Sequence, residues 1–110
     1  TYGLIRESGE FTLSVPEYPL GALADAYAVC GSKSGRDMDK FASCGLTAAP
    51  AQKVSAPIIA QCGLHLECRV IYTAGIDPAH LPDEYIQSCY AQGDLHELFY
   101  GKIIDCYRTK

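Results

Sequence analysis

Apolar and polar residues alternate most clearly between positions 64 and 72, where Leu64, Leu66, Cys68, Val70 and Tyr72 take one parity and His65, Glu67 and Arg69 take the other. A period of two predicts a long strand with one buried face, and it assigns His65, Glu67 and Arg69 to the solvent side. Phe11-Thr12-Leu13-Ser14-Val15 repeats the pattern on a shorter scale and stops at Pro16, which predicts a second half-buried strand. In a third stretch, Leu98, Tyr100, Lys102 and Ile104 alternate with Phe99, Gly101, Ile103 and Asp105, and neither set is cleanly polar. Such a strand, running from Leu98 to Tyr107, is expected to be covered on both faces, by its own domain on one side and by a partner subunit on the other.

Helical spacing takes over between these stretches. Residues 1–9 predict a short helix that ends at Gly9 and turns Leu4 and Ile5 inward. After the turn Pro16-Glu17-Tyr18-Pro19, residues Leu20, Leu23, Ala24 and Tyr27 recur at helical intervals and predict a core-facing stripe that Gly31 terminates. Gly45 is expected to stop the next helix, and Leu46 to Lys53 has the small-residue, proline-containing composition of a surface connection. Asp77 to Gly93 reads as an excursion between two strands of one sheet, with a helical turn over Glu84 to Tyr90 and an exposed His80.

The chain has 110 residues, so one domain with a modest core is expected. Apolar residues make up 48% and charged residues 20%, which argues against disorder. No apolar run is long enough to span a membrane, and residue 1 is not followed by a signal-type block, so a cytoplasmic location is expected. The formal charge of −4 speaks against nucleic acid as the main partner. Six cysteines raise the question of disulfides or metal. Cys62, His65 and Cys68 have a C-x-x-H-x-x-C appearance, but on a continuous strand His65 points away from the two thiols. The expectation is therefore reduced, structural cysteines and no metal site.

Against this acidic background Lys33, Arg36 and Lys40 form a local basic cluster. It lies in a loop-to-helix passage, Val29 to Phe41, that also holds Ser32, Ser34, Gly31 and Gly35. Ser34 stands three residues before Asp37, the spacing of a capping box. A helix starting here would aim its unpaired N–H groups at the loop, where they and the cations would suit a phosphate. The same residues are equally read as ordinary caps beside a solvated basic face. No Ser/His/Asp order, Walker loop or G-x-G-x-x-G loop is present.

The run Tyr27-Ala28-Val29-Cys30-Gly31, followed by Ser34-Gly35-Arg36-Asp37, Asp39-Lys40-Phe41 and Gly45-Leu46-Thr47, resembles the central signature of flavin reductase-like proteins, with flavoredoxin-like members nearest. Gly93 to Ile104 resembles the family's late strand, departing from it where Leu95 separates Asp94 from His96 and where Lys102 replaces an acid. The resemblance implies a mostly β fold with short helices, the FMN-binding split β-barrel of Greek-key type, as a homodimer with FMN at the subunit interface. It also implies transfer of hydride or electrons between NAD(P)H and FMN, as a flavin reductase or a flavoredoxin-like carrier, toward a small-molecule or protein acceptor. Residue by residue, it gives Arg36 and Lys40 to the FMN phosphate or pyrimidine edge, and Ser34 and Gly35 to loop donors. Thr1 and Tyr2 continue the phosphate-side segment. His96 becomes the candidate catalytic group near the flavin, against the reading of a structural histidine at a strand start. In the family several strands precede the segment equivalent to residue 1, so residues 1–110 are expected to be the C-terminal part of the usual domain. The alternative is a non-catalytic split-barrel domain or fragment that dimerises without binding flavin by itself.

Overall fold

A computed structural model describes residues 2–17, 21–32, 39–90 and 95–109. Its centre is an antiparallel sheet in the order β1 (Glu10–Val15), β4 (Leu64–Gly75), β5 (Glu97–Arg108). Helix α1 (Tyr2–Ser8) precedes β1 and ends as expected at Gly9, which adopts a φ of 68° and returns its N–H to the Ile5 carbonyl at 2.8 Å. A 3-10 turn (Gly21–Leu23) leads into α2 (Ala24–Ser32), and α3 (Lys40–Cys44) follows. Strands β2 (Ala48–Ala49) and β3 (Ile58–Ile59) pair with each other, and a second 3-10 turn (Pro78–His80) and α4 (Asp83–Cys89) lie between β4 and β5.

Helix α3 shows why it begins and ends where it does. Asp39 caps it, its carboxylate accepting from the N–H groups of Phe41 and Ala42 at 3.1 and 3.3 Å. Gly45 closes it in the left-handed conformation, φ 66°, which spares the Cβ clash that other residues would meet. Ser34 and Asp37, the expected capping pair, lie outside the described residues.

The three strands obey the period of two, but the face expected to be open to solvent is covered at His65 and Glu67. Glu10, Thr12 and Ser14 of β1 stand opposite Arg69, Glu67 and His65 of β4, so these six share one face. Far from facing solvent, His65 and Glu67 are each 0% exposed, while Arg69 stays open. The reason is a strap, residues 50–57, that runs across this polar face and hydrogen-bonds to it through its main chain. Phe11, Leu13 and Val15 share the other face with Leu64, Leu66 and Cys68. Cys68 is buried there, yet Leu13 is 50% exposed and Ile103, which pairs with Cys68, is 54% exposed. One side of β5 is thus open at Ile103 within this chain, where the expectation gave one of the strand's two faces to a partner subunit.

Two register shifts, between Glu67 and Cys68 and between Val70 and Tyr72, let β4 and β5 stay paired along their length. Two helical expectations also change. Leu4 is 72% exposed because α1 buries none of its residues. In α2 it is Ala26 that is buried, while Tyr27 is exposed and the helix runs one residue beyond Gly31.

Gly63 offers a first check on the packing at the sheet's end. The three atoms nearest a Cβ there all belong to the Glu17 side chain, a flexible group whose ion pair with Arg108 at 3.3 Å is exposed. Because Glu17 can swing away and an exposed pair contributes little, Gly63→Ala is expected to change stability by no more than about 0.5 kcal/mol in urea unfolding.

Candidate functional site

Three groups of side chains carry the chemistry of the chain, and the sheet sets their positions. At the end of β4 near Leu64 lie α2, α3 and a cavity of about 190 Å³ that opens to solvent. Leu23, Ala26, Tyr27 and Cys30 of the 3-10 turn and α2 face it; of the stripe expected from the sequence, Leu23 and Tyr27 line this cavity, Ala24 is exposed, and Leu20 lies outside the described residues. Lys40 Nζ donates to the Cys30 carbonyl at 2.9 Å, joining the start of α3 to the last turn of α2. One of the three ammonium hydrogens is committed to that carbonyl. Cys44 stands at the end of α3. Burial first and then the Cys30 thiol push the Cys44 thiol upward, against the opposing charge of Lys40.

The second group lies at the far end of the sheet. Tyr2 packs its ring on Phe99, with centroids 5.9 Å apart, and its hydroxyl accepts from Arg6 at 3.2 Å. Arg6 in turn reaches Glu97 at 3.9 Å. His96, adjacent to Glu97, is exposed and makes a 2.6 Å hydrogen bond from Nδ1 to the Tyr90 hydroxyl, with the rings edge to face. In the tautomer in which Tyr90 donates, the ring proton sits on Nε2. Two of the expected site residues, Tyr2 and His96, are therefore brought to one rim by α1 and the start of β5. Lys40 is not. The cavity end is marked by Ser14 opposite His65 and the rim by Glu97 opposite Gly75, a separation of ten residues along β4 and so roughly 30 Å of strand. Thr1, Ser34, Gly35 and Arg36 lie outside the described residues.

Between the two ends, the polar face forms a third group that the sequence reading missed. The Glu67 carboxylate accepts from the N–H groups of Gln52, Lys53 and Val54 at 2.7, 2.6 and 3.2 Å and from the Tyr107 hydroxyl at 2.5 Å. Burial raises its pKa, but these four donors outweigh burial and leave it below the usual carboxylate value. Tyr107 is pushed up to about 12, by burial first and then by Glu67. Asp105, opposite Glu67 on β5, adds to that shift and keeps Oδ2 buried and without a partner among the described residues. With every donor aimed at it, Glu67 is an anionic strut and not a proton acceptor for a substrate.

The neighbouring residues extend the same device. Glu10 accepts from the Ser55 hydroxyl and N–H at 2.7 and 3.1 Å, and both bonds, the hydroxyl first, hold its carboxyl below the usual value. Thr12 donates to the Pro57 carbonyl at 2.6 Å, and Ser14 accepts from the Ile59 N–H at 3.0 Å. His65 bridges Ser14 and Thr109 at 3.0 and 3.1 Å. A polar triplet at i, i+2, i+4 on two strands was the available signal. A second cavity, of about 480 Å³, opens between α1, β1 and residues 55–57. No cluster able to hold a metal ion occurs among the described residues, and no helix among them is long and apolar enough to cross a membrane.

Comparison with known proteins places this geometry. Flavoredoxin of Desulfovibrio vulgaris (Miyazaki F) superposes with a TM-score of 0.71 at 29% identity, over 99% of this chain and 47% of its own. A protein with a split barrel domain from Shewanella frigidimarina NCIMB 400 superposes with a TM-score of 0.67 at 15% identity, over 96% of this chain and 44% of its own, a likeness of fold. An uncharacterized protein of Archaeoglobus fulgidus is 39% identical over 71 residues, 64% of this chain and 38% of that protein. The chain thus spans less than half the length of these relatives. The sequence model of the flavin reductase like domain matches residues 1–110, and the chain belongs to that family, with the mostly β, split-barrel fold.

Proposed function

We propose that the chain is part of an FMN-binding oxidoreductase that passes hydride or electrons between NAD(P)H and an acceptor, as a flavin reductase or a flavoredoxin-like carrier. The observation that carries this reading is the likeness to flavoredoxin over 99% of the chain, combined with the family match over residues 1–110. Bound FMN would supply the redox chemistry, and the protein supplies placement. The residues suit such a group. Lys40 places an ammonium where α3 meets the last turn of α2, and Arg36 adds a second cation four residues before it in the sequence. The cavity beside α2 is lined mostly by apolar side chains. Lys40 and Arg36, with loop donors from Ser34 and Gly35, would hold the phosphate or the pyrimidine edge. Tyr2, with Thr1 before it, would continue the phosphate side, and His96, oriented by Tyr90, would hold or move a proton near the flavin at neutral pH.

Assembly as a homodimer belongs to the same proposal. The two ends of the sheet, one beside α2 and α3 and the other beside His96, are ten residues of β4 apart, roughly 30 Å of strand, and a second copy would bring one chain's Lys40 toward the other chain's His96. Residues 1–110 then act as the C-terminal part of one domain in a cytoplasmic protein. That same separation favours the second reading, a non-catalytic domain that keeps the fold and dimerises but does not bind flavin by itself.

Titrating the full-length protein with FMN, following flavin fluorescence, separates the two. Tight binding is expected, weakened by about 10- to 100-fold in an Arg36→Ala, Lys40→Ala double variant, since two charge-assisted contacts are removed. A folded protein that binds no FMN would remove the oxidoreductase reading and leave the second.

A further inference from the structure

We propose that a second copy of this chain seats on the tyrosine-bearing face near the Gly75 end of β4, forming a twofold dimer through Tyr72 and Tyr100. Such a dimer rests on the assembly proposed above and adds the face that forms it, whether or not the chain binds flavin.

The face arises from the strand register. Arg69 stands opposite Lys102, and the shift between Val70 and Tyr72 leaves Ile71 without an opposite residue, so Tyr72 meets Tyr100 and Ala74 meets Leu98. Leu98, Tyr100 and Lys102 are two residues apart along β5 and share one side of the sheet. It is the side on which the strap lies. The strap is bonded there from Glu67 and Thr12 to Glu10, which stands opposite Arg69. Beyond Arg69 large side chains are open: Tyr72 is 64% exposed, Tyr100 50% and Leu98 45%. The two tyrosine rings rest on each other with centroids 5.6 Å apart. Open aromatic and apolar side chains gathered in one place are the composition of an interface core, and tyrosine loses little side-chain freedom when covered.

Charge tells which molecule covers this face. Arg69 and Lys102, both exposed, flank the tyrosines on the strap side. On the other side the chain leaves β4 at Gly75 for an excursion with exposed acids at Asp77, Asp83 and Glu84, and residues 70–101 contain no Lys or Arg. A twofold axis through the tyrosine pair turns the second copy end for end, so each copy's cations meet the other's acids. The face is complementary to itself, which singles out a second copy as its occupant. The same rotation carries the α2 and α3 end of one sheet toward the other copy's His96, so the candidate site would draw on both copies.

Sedimentation velocity of the full-length protein is expected to show a dimer. Tyr72→Ala combined with Tyr100→Ala should raise its dissociation constant about 100-fold, because each substitution acts twice across the axis. If that variant fails to fold, Lys102→Glu at an exposed position keeps the test: it should weaken the dimer about 10-fold, and adding Asp83→Lys and Glu84→Lys should restore it. Hydroxyl-radical labelling of the wild type reads the face directly. Both tyrosines should be labelled in the dilute monomer and protected in the dimer. Labelling that persists in the dimer would overturn this face and leave the homodimer to another one. Protection that persists in the monomer would overturn it too, since another part of the full-length chain would then cover the tyrosines. A protein monomeric at every concentration would overturn both the face and the homodimer, whereas a dimer formed in this way that binds no FMN would overturn only the flavin reading.

Discussion

Glu67→Ala is expected to destabilise the protein by about 4 kcal/mol, because it strands the Tyr107 hydroxyl and three backbone N–H groups, each costing about 1–3 kcal/mol when buried and unmet. All four donate to this one carboxylate, which is 0% exposed. Urea unfolding would measure the loss, and hydrogen exchange would locate it. The amides of Gln52, Lys53 and Val54 should lose protection before those of β4 and β5, since the strap is released while the ladder stays paired. Tyr107→Phe removes one donor and leaves the backbone three, so it should cost only about 1–2 kcal/mol. Equal losses in the two variants would mean that the strap is not what Glu67 holds.

The same carboxylate gives stability a pH dependence with a definite sign. Its folded pKa lies below the ordinary value of 4.5, so the unfolded chain takes up the proton more readily. Its contribution is complete above about pH 4.5 and is lost as the pH falls through the folded value. Glu10, also held low by Ser55, acts in the same direction. The urea midpoint should therefore fall on acidification below that window, and in Glu67→Gln the fall should be shallower.

Gly101→Val is expected to cost about 3 kcal/mol by overpacking. A Cβ at Gly101 would sit 2.5 and 2.7 Å from the Phe11 ring and 3.1 Å from the Cβ of Cys68. None of these neighbours can yield as Glu17 can at Gly63: the ring belongs to β1, and the Cys68 Cβ is fixed to the central strand. Pairing the change with Phe11→Leu should recover part of the loss, a coupling that a double-mutant cycle reads directly. Additive losses would mean that the clash is not with that ring.

How much of this was legible in the sequence depended on whether the cause was local. The strands at Phe11 and Leu64, the helix stops at Gly9 and Gly45, and the excursion between the last two strands follow from period, turn chemistry and glycine, all read within a few residues. Which face of β4 is covered was not local. His65 and Glu67 look solvent-facing until β1 is placed in register, with Ser14 and Thr12 opposite them, and a strap from further along the chain brings main-chain donors to meet them. At the candidate site, Lys40 was visible as a cation beside a loop, but its bond to the Cys30 carbonyl needed the packing of α2 on α3. Tyr90 as the partner of His96 needed the end of α4 to be set beside the start of β5.

The strap is recognised by its peptide groups, and that makes its placement indifferent to much of its own composition. Glu67 and Glu10 bind the N–H groups of residues 52–55, and Thr12 and Ser14 bind the carbonyl of residue 57 and the N–H of residue 59. Every amino acid but proline offers that N–H. The exposed positions Gln52 and Lys53 are thus free to change their surface, and to be re-engineered, while Ser55 also holds Glu10 through its hydroxyl, and proline at a donor position would unfasten the segment from the sheet.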